Sequence, residues 1–466
     1  MMISLQRFLP FLGLAAAACA AVAAAADRPP NLVVILTDDQ GYADVGFNGC
    51  QDIPTPNLDR IATEGVRCTN GYVTYSVCGP SRAGLITGRY QDRFGACRNP
   101  TINPAVPHNG VPLSETNLAE LLGPVGYRSI AIGKWHLGTH PDLRPLNRGF
   151  DEFFGFLSGG HCYFPEQLTV RDLSEVQKPG QWYRTKILHG TTPVDIDDYL
   201  TDALSDAAVK FVERNQEQPF FLYLAYNAPH TPLQATEKYL QRFAHIEDPK
   251  RRKYAAMVSA VDDGVGRLLD KLTACDLDNR TIVFYLSDNG GPPTNGSRNG
   301  VLRDYKGSPF EGGVRVPFAV RWSGVLPAGG DYDYPVSSLD VAATIVAHCS
   351  AEVPAGKPLD GVDLTPYLTG KNKDRPHPAL YWRWFDNKRF AARIDDEKLI
   401  LMQRPRDRKE YGPPLLFDLA TDVSETTNVF ESRTAAADKA TRLLDEWKPL
   451  LTDPISPGLG SWKPGS

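Results

Sequence analysis

Four short, continuously apolar runs constrain the fold of this 466-residue chain more than any other feature: residues 32–36, 129–133, 220–226 and 281–286. A strand with one wet face alternates apolar and polar residues. A strand apolar at nearly every position is buried on both faces, as in a parallel sheet covered by helices. Helical patterns fall between the runs, at 113–122, 197–214 and 251–272. Strands alternating with helices predict an α/β fold, a large, mostly parallel mixed sheet flanked by helices. From about residue 375 the texture changes. Short alternating or aromatic segments at 379–384, 389–394, 398–402 and 415–418, then a helix at 432–450, predict a smaller C-terminal antiparallel sheet plus helix. The expected division is a large α/β unit over 27–374 and a smaller α+β unit over 375–466, joined by the Pro- and Gly-rich stretch 351–374.

Each of the four runs ends in polar residues, and in open α/β sheets ligands sit beyond the carboxyl ends of the strands. The first and last runs end in Asp38-Asp39 and Asp288-Asn289. Three carboxylates and an amide are hard oxygen donors, suited to Ca²⁺, or less well Mg²⁺, and not to zinc. Each pair alone reads equally well as turn or cap residues; their placement after buried strands of one sheet is what favours a cation. The second run ends in Lys134-Trp135-His136, where spacing of two puts Lys134 and His136 on one side if the backbone is extended. The third ends near His230, flanked by Pro229 and Pro232. A lone loop histidine is ordinarily incidental, and Lys306 by itself reads as a surface lysine.

Other features bound the setting. Arg7, an apolar run and Ala24-Ala25-Ala26 read as a secretory signal over 1–26, which predicts export to a periplasmic or extracellular space. Cys19 raises a lipoprotein anchor, but Ala16 stands where such motifs carry Leu, so anchoring is not expected. No later stretch is long and apolar enough to span a membrane. A net charge of −5 offers no basic field for a nucleic acid. Seven cysteines follow the signal, an odd number, so at least one is unpaired; setting Cys78 aside leaves six for possible disulfides.

Cys78 opens Cys-Gly-Pro-Ser-Arg, followed by Leu85-Ile86-Thr87-Gly88-Arg89. By residue type alone this could be a buried cysteine beside a helix start. On a helix, Arg82 returns to the face of Cys78. The motif resembles the signature of the type I, formylglycine-dependent sulfatases of the alkaline phosphatase superfamily. The likeness extends through Thr55-Pro56-Asn57-Leu58-Asp59-Arg60, Gly149-Phe150-Asp151-Glu152 and the strand-end clusters, from about residue 30 to 369. It looks nearest to the galactosamine-6-sulfatase and arylsulfatase type. The resemblance implies that Cys78 is converted to formylglycine by a dedicated maturation enzyme. The aldehyde hydrate then offers two geminal hydroxyls, one to attack sulfur and one to expel sulfate. It further implies Ca²⁺ held by Asp38, Asp39, Asp288, Asn289 and residue 78, with Arg82 fixing the formylglycine and Lys134 and Lys306 gripping sulfate oxygens. His136 would act on the geminal diol, and His230 would protonate the leaving alcohol.

The expected activity is removal of sulfate from a sulfated glycan. The alternatives are a phosphonate or phosphate ester hydrolase on the same scaffold, or a sulfated-glycan binder without turnover if Cys78 stays a thiol. Loops beyond the sheet edge should set specificity: 98–109, 159–163, 298–303 and Trp382-Arg383-Trp384, with His161 the preferred sugar-binding residue. The tryptophans could stack on a sugar, but aromatic strand residues are more often core.

Overall fold

The computed structural model describes residues 28–384, 387–403, 411–458 and 461, so the predicted signal segment and Cys19 lie outside the described residues. The four apolar runs become strands Asn31–Thr37, Arg128–Lys134, Phe220–Ala225 and Thr281–Ser287. They lie side by side and parallel, with Asn31–Thr37 between Thr281–Ser287 and Phe220–Ala225, and Arg128–Lys134 next outward. Their side chains split by parity between two cores. Leu32, Val34 and Leu36 enter one, with helices Cys78–Thr87 and Leu339–Cys349 over it. Val33 and Ile35 enter the other, under helices Pro56–Thr63, Leu200–Asn215 and Pro249–Ala274. Each such side chain contributes roughly 1.5–3 kcal/mol of transfer free energy, which is why both faces must be covered. Six further strands complete a ten-stranded mixed sheet. Glu152–Phe156 continues the parallel centre beside Arg128–Lys134, and Phe318–Arg321 pairs antiparallel on the other flank.

The predicted helix at 113–122 shortens to Leu118–Leu122. Asn117 is the reason: its side chain accepts from the N–H groups of Ala119 and Glu120, and Glu120 bonds back to the Asn117 N–H. This reciprocal box starts the helix at its strongest cap. The preceding turn instead gives its Val111 and Glu115 carbonyls to Arg148, at 2.8 and 2.6 Å.

A second, four-stranded antiparallel sheet comprises Leu380–Trp384, Arg389–Ile394, Glu397–Met402 and Leu415–Asp418. One face holds helix Thr434–Trp447 through Ala437, Ala440, Leu444 and Trp447. The opposite face carries Trp382, Trp384, Ile400 and Phe417 against Tyr72, Tyr75, Phe310 and Val314 of the large unit. Trp382 and Trp384 are therefore core and not sugar platforms. Both are almost wholly buried, and their indole N–H groups donate to the Val73 carbonyl and the Ser76 hydroxyl. The stretch 351–374 packs tightly, with Asp360 N–H on the Gly88 carbonyl and Val362 N–H on Asp340. Cys50, Cys68, Cys78, Cys162, Cys275 and Cys349 are free thiols, so no disulfide forms among them. No helix among the described residues is long and apolar enough to cross a membrane.

Candidate active site

Register brings the acidic residues together. Thr37 and Ser287 are partners at the ends of adjacent parallel strands, so the next residues, Asp38 and Asp288, leave the sheet side by side. The ladder runs one step further, with Asp288 N–H on the Thr37 carbonyl and Asp38 N–H on that of Ala228. Asp39 then turns through a left-handed backbone (φ 65°), and its N–H reaches Asp288 Oδ1 at 3.3 Å. Donor atoms of Asp38, Asp39, Asp288 and Cys78 all lie within 4.8 Å of one another.

Cys78 is the first residue of the wholly buried helix Cys78–Thr87, whose positive end adds to the field there. The Asn99 side chain accepts from Gly79 N–H at 2.8 Å, satisfying one of the free donors of the first turn. Arg82, one turn on, donates to Asp288 Oδ2 at 2.8 Å and to the Lys134 carbonyl at 3.1 Å. Lys134 Nζ meets Asp38 Oδ2 at 2.5 Å; Lys306 Nζ meets Asp39 Oδ1 at 2.6 Å and Cys78 Sγ at 3.3 Å. Lys306 is thus no surface lysine. It is drawn in by a long loop whose Gly307 N–H is tied to the Ser76 carbonyl at 2.8 Å.

Burial of so many charges displaces their titration. Burial alone would raise the Asp38 carboxyl, but Lys134, His230, Arg82 and Lys306 together hold it well below the usual carboxylate range. Burial and then the Asp38 charge push Asp288 up to about 6, against the pull of Arg82 and Lys134. Burial and Asp38 likewise push the Cys78 thiol to about 12, outweighing the two lysines. An encoded thiol here stays protonated near neutrality and is a poor nucleophile.

The histidines divide. His230 Nε2 lies 3.6 Å from Asp39 Oδ2, while its Nδ1 faces the Thr231 carbonyl at 2.6 Å. Burial lowers its pKa, with Asp38 and Asp39 opposing. His136 is buried in a left-handed backbone conformation (φ 54°), and neither ring nitrogen has a partner. Burial, then Lys134 and Arg82, keep it well below its ordinary pKa, hence neutral. His161 does not join them as a ligand. It is fully buried and stacked on Phe156 at 4.6 Å, with its ring nitrogens on the Cys162 carbonyl and the Thr185 hydroxyl. The expectation that it binds sugar is corrected to a bracing role: its carbonyl accepts from Asn227, whose own carbonyl, like that of His230, receives the Tyr163 hydroxyl.

Several residues at the site carry no sequence signal. Asn295 donates to the Asp39 carbonyl at 3.1 Å. Tyr183 packs its ring on Gly160, where an added Cβ would stand 2.6 Å from the ring. Its phenol is raised by burial and feels Lys134, Asp38, Cys78 and Lys306. Neighbouring Gly159 packs against the His136 ring in the same way, at 2.7 Å, so two glycines thread a backbone between two rings.

The donor set fits a hard divalent cation. Asn289 gives its amide N–H to Asp39 at 2.7 Å and to the Gly290 carbonyl, which leaves Oδ1 buried and without a partner beside three carboxylates. An oxygen stranded in this way, next to Asp288 in the chain and bonded through its amide to Asp39, joins a set of acidic donors that matches the ligand chemistry of Ca²⁺.

A family model described as Sulfatase matches residues 30–351, and one described as N-sulphoglucosamine sulphohydrolase, C-terminal, matches 306–448. The chain is 35% identical over 439 residues to mouse (Mus musculus) N-acetylgalactosamine-6-sulfatase, covering 90% of this chain and 79% of that one. It is 32% identical over 435 residues to the pig (Sus scrofa) protein of the same name, covering 85% and 81%. Among solved structures, Ps i-CgsB in complex with k-i-k-neocarrahexaose superposes with a TM-score of 0.85 at 37% identity, covering 94% of this chain and 96% of that chain.

Proposed function

The chain belongs to the sulfatase family and hydrolyses sulfate esters, and from that premise we propose that it removes sulfate from a carbohydrate by means of formylglycine at position 78 and Ca²⁺. The observation that carries this reading is the convergence on Cys78 of three carboxylates, Arg82, Lys134 and Lys306, around a thiol too basic to act as itself.

Formylglycine hydrate at residue 78 would supply the attacking hydroxyl and, from the same carbon, the hydroxyl whose deprotonation expels sulfate. Ca²⁺ held by Asp38, Asp39, Asp288 and Asn289 would supply positive charge to a sulfate oxygen and acidify the attacking group. The remaining work falls to this chain's own side chains. Lys134 and Lys306 release their carboxylates to meet the equatorial oxygens of the substrate, where negative charge must be held in the transition state. Arg82 fixes residue 78 from one helical turn away. His136, kept neutral by burial and its cationic neighbours, accepts a proton from the hydroxyl pair. His230 donates from Nε2 to the leaving oxygen as the imidazolium, a form that the Asp38 and Asp39 charges favour against burial, while its Nδ1–H is held by the Thr231 carbonyl.

A carbohydrate substrate is supported by the names of the galactosamine-6-sulfatases and by the oligosaccharide bound to Ps i-CgsB. We place the catalytic unit in residues 27–374 and the supporting unit in 375–466, and we propose export through the segment 1–26 and maturation by a formylglycine-generating enzyme. Two measurements test the reading. Peptide mass spectrometry of protein from its native host should find residue 78 lighter than cysteine. Turnover of sulfate and phosphate esters of one aryl alcohol should favour sulfate; dominant phosphate turnover would sink the assignment.

A further inference from the structure

A cavity of about 180 Å³ shares two chain segments with the catalytic site. Phe156 and Thr185 line it, and both touch the bracing residue His161. Phe156 is also the register partner of Lys134, and its carbonyl accepts from Trp135 N–H at 3.0 Å. Tyr183, two residues before Thr185, stands in the field of the catalytic lysines. The cavity therefore lies one strand outward from Lys134, at the same carboxyl edge of the sheet. Pro104, from a loop expected to set specificity, closes one side.

Its chemistry differs from that of the catalytic cluster. The floor is apolar, from Phe156, Leu157 and Leu188, and no dense set of acids faces it. Arg144 lines it half-buried, with Nε committed to the Thr139 carbonyl at 3.0 Å and no carboxylate within ion-pair distance among the described residues. Asp172 also lines it and holds Ser174 through one oxygen, at 2.8 Å to N–H and 2.5 Å to the hydroxyl. At roughly 30 Å³ per water, the volume equals about six waters, enough for one pyranose ring. An apolar floor with a guanidinium and a carboxylate in the walls suits a sugar. The C–H face of the ring lies on the floor, hydroxyls go to the carboxylate, and a hydroxyl or sulfate oxygen goes to the guanidinium.

We infer that this cavity is a second glycan subsite, taking the neighbouring sugar unit of a sulfated oligosaccharide while the scissile sulfate sits at residue 78. The inference rests on the sulfatase reading proposed above and deepens it, since it makes an oligosaccharide and not a lone sugar the preferred substrate. Arg144 and Asp172 become specificity residues that never touch the reacting sulfur.

The test uses matured, Ca²⁺-loaded full-length protein with k-i-k-neocarrahexaose and 4-nitrophenyl sulfate as probes. Thr191→Trp is chosen to place an indole from the exposed rim into the cavity, and Arg144→Gln removes the guanidinium, leaving Lys186, which also lines the cavity and pairs with Asp195 at 2.8 Å. The hexaose-to-aryl-sulfate ratio of kcat/KM should fall at least tenfold in Thr191→Trp and several-fold in Arg144→Gln, mainly through KM for the hexaose. Ratios within twofold of wild type in both variants would overturn the subsite, including the case in which both substrates suffer alike. Calorimetry of the hexaose on a Cys78→Ala background separates the two readings. Binding that Thr191→Trp abolishes, with a wild type inactive on every sulfate ester, would keep the subsite and sink the desulfation mechanism. No hexaose binding to Cys78→Ala protein would overturn the subsite whatever the activity.

Discussion

Two buried charge clusters, similar in composition, behave differently. At the proposed catalytic edge, Asp38, Asp39 and Asp288 face Arg82, Lys134 and Lys306. At the seam with the C-terminal sheet, Glu311 and Glu425 face Lys398, with Arg315, Arg393 and Tyr72 close by. The seam is paired more fully, although Glu425 Oε1 has Lys398 beside it and no hydrogen bond. Lys398 Nζ lies 2.8 Å from Glu311 and 3.1 Å from Glu425; Tyr72 gives its hydroxyl to Glu311 at 2.6 Å, and Glu425 accepts Glu311 N–H at 2.6 Å. The proposed catalytic cluster leaves more unpaired. Arg82 Nη2, Asn289 Oδ1 and both nitrogens of His136 are buried without a hydrogen-bond partner. Burial of charge is common to both, so it does not mark a site. What sets the first apart is that several unpartnered donors and acceptors converge beside one set of carboxylates, capacity that a purely structural network gains nothing by stranding.

The sharpest way to break this distinction is Cys78→Ser. It should lower sulfate-ester turnover by roughly 10⁴-fold or more while the urea midpoint of unfolding hardly moves; near-wild-type multiple turnover would contradict the assigned chemistry. Lys398→Ala should do the reverse. It strands the buried Glu311 carboxylate and takes the partner from Glu425, and should cost about 3–5 kcal/mol of stability, with turnover per folded molecule changed only a few-fold. A collapse of kcat at unchanged stability would mean that the seam is not merely structural. Removing Ca²⁺ with a chelator should abolish turnover and lower Tm, since a ligand at a hundred times its Kd stabilises by about 2.7 kcal/mol; a Tm indifferent to chelation and re-addition would count against a resident cation.

The pH response of the seam gives a subtler test. Burial pushes the Glu425 carboxyl from 4.5 up to about 7, with Lys398 opposing. Folded protein then holds a proton that the unfolded chain has released. This group's stabilising contribution is complete below pH 4.5 and is lost as pH rises towards about 7. Glu425→Gln should flatten the stability profile across that window, measured by urea unfolding at several pH values; an unaltered slope would place the proton elsewhere. The smallest effect belongs to Asn99→Ala, which frees Gly79 N–H at the start of the cysteine-bearing helix and should cost about 1 kcal/mol, with a modest fall in kcat.

Legibility in the sequence followed the range of the physics involved. The four central strands, the helices expected at 197–214 and 251–272, and the C-terminal strands were legible because burial on two faces, or periodicity on one, is written in the local sequence. The helix expected at 113–122 failed on a competition between local signals, which Asn117 won. His161, Trp382 and Trp384 stood open to two readings for another reason. A histidine after two glycines, or a pair of strand tryptophans, has the same appearance whether it faces a ligand or a partner unit. Only the packing of Phe156 and Thr185, or of Val73 and Ser76, decides which. Tyr183 carried no signal at all, since nothing near it in the chain relates it to Lys134.

By itself, then, the sequence determined the α/β sheet, the edge at which chemistry collects, and the identity of Cys78, Arg82 and the strand-end carboxylates, lysines and histidines as candidates. Tertiary structure alone decided that Asp38, Asp39, Asp288 and Cys78 bring their donor atoms within 4.8 Å of one another, that Lys306 comes in from a distant loop, and that His161 turns inward. Periodicity reports which face of an element is buried. Distances between ends of different elements depend on register and crossing, which no single segment encodes.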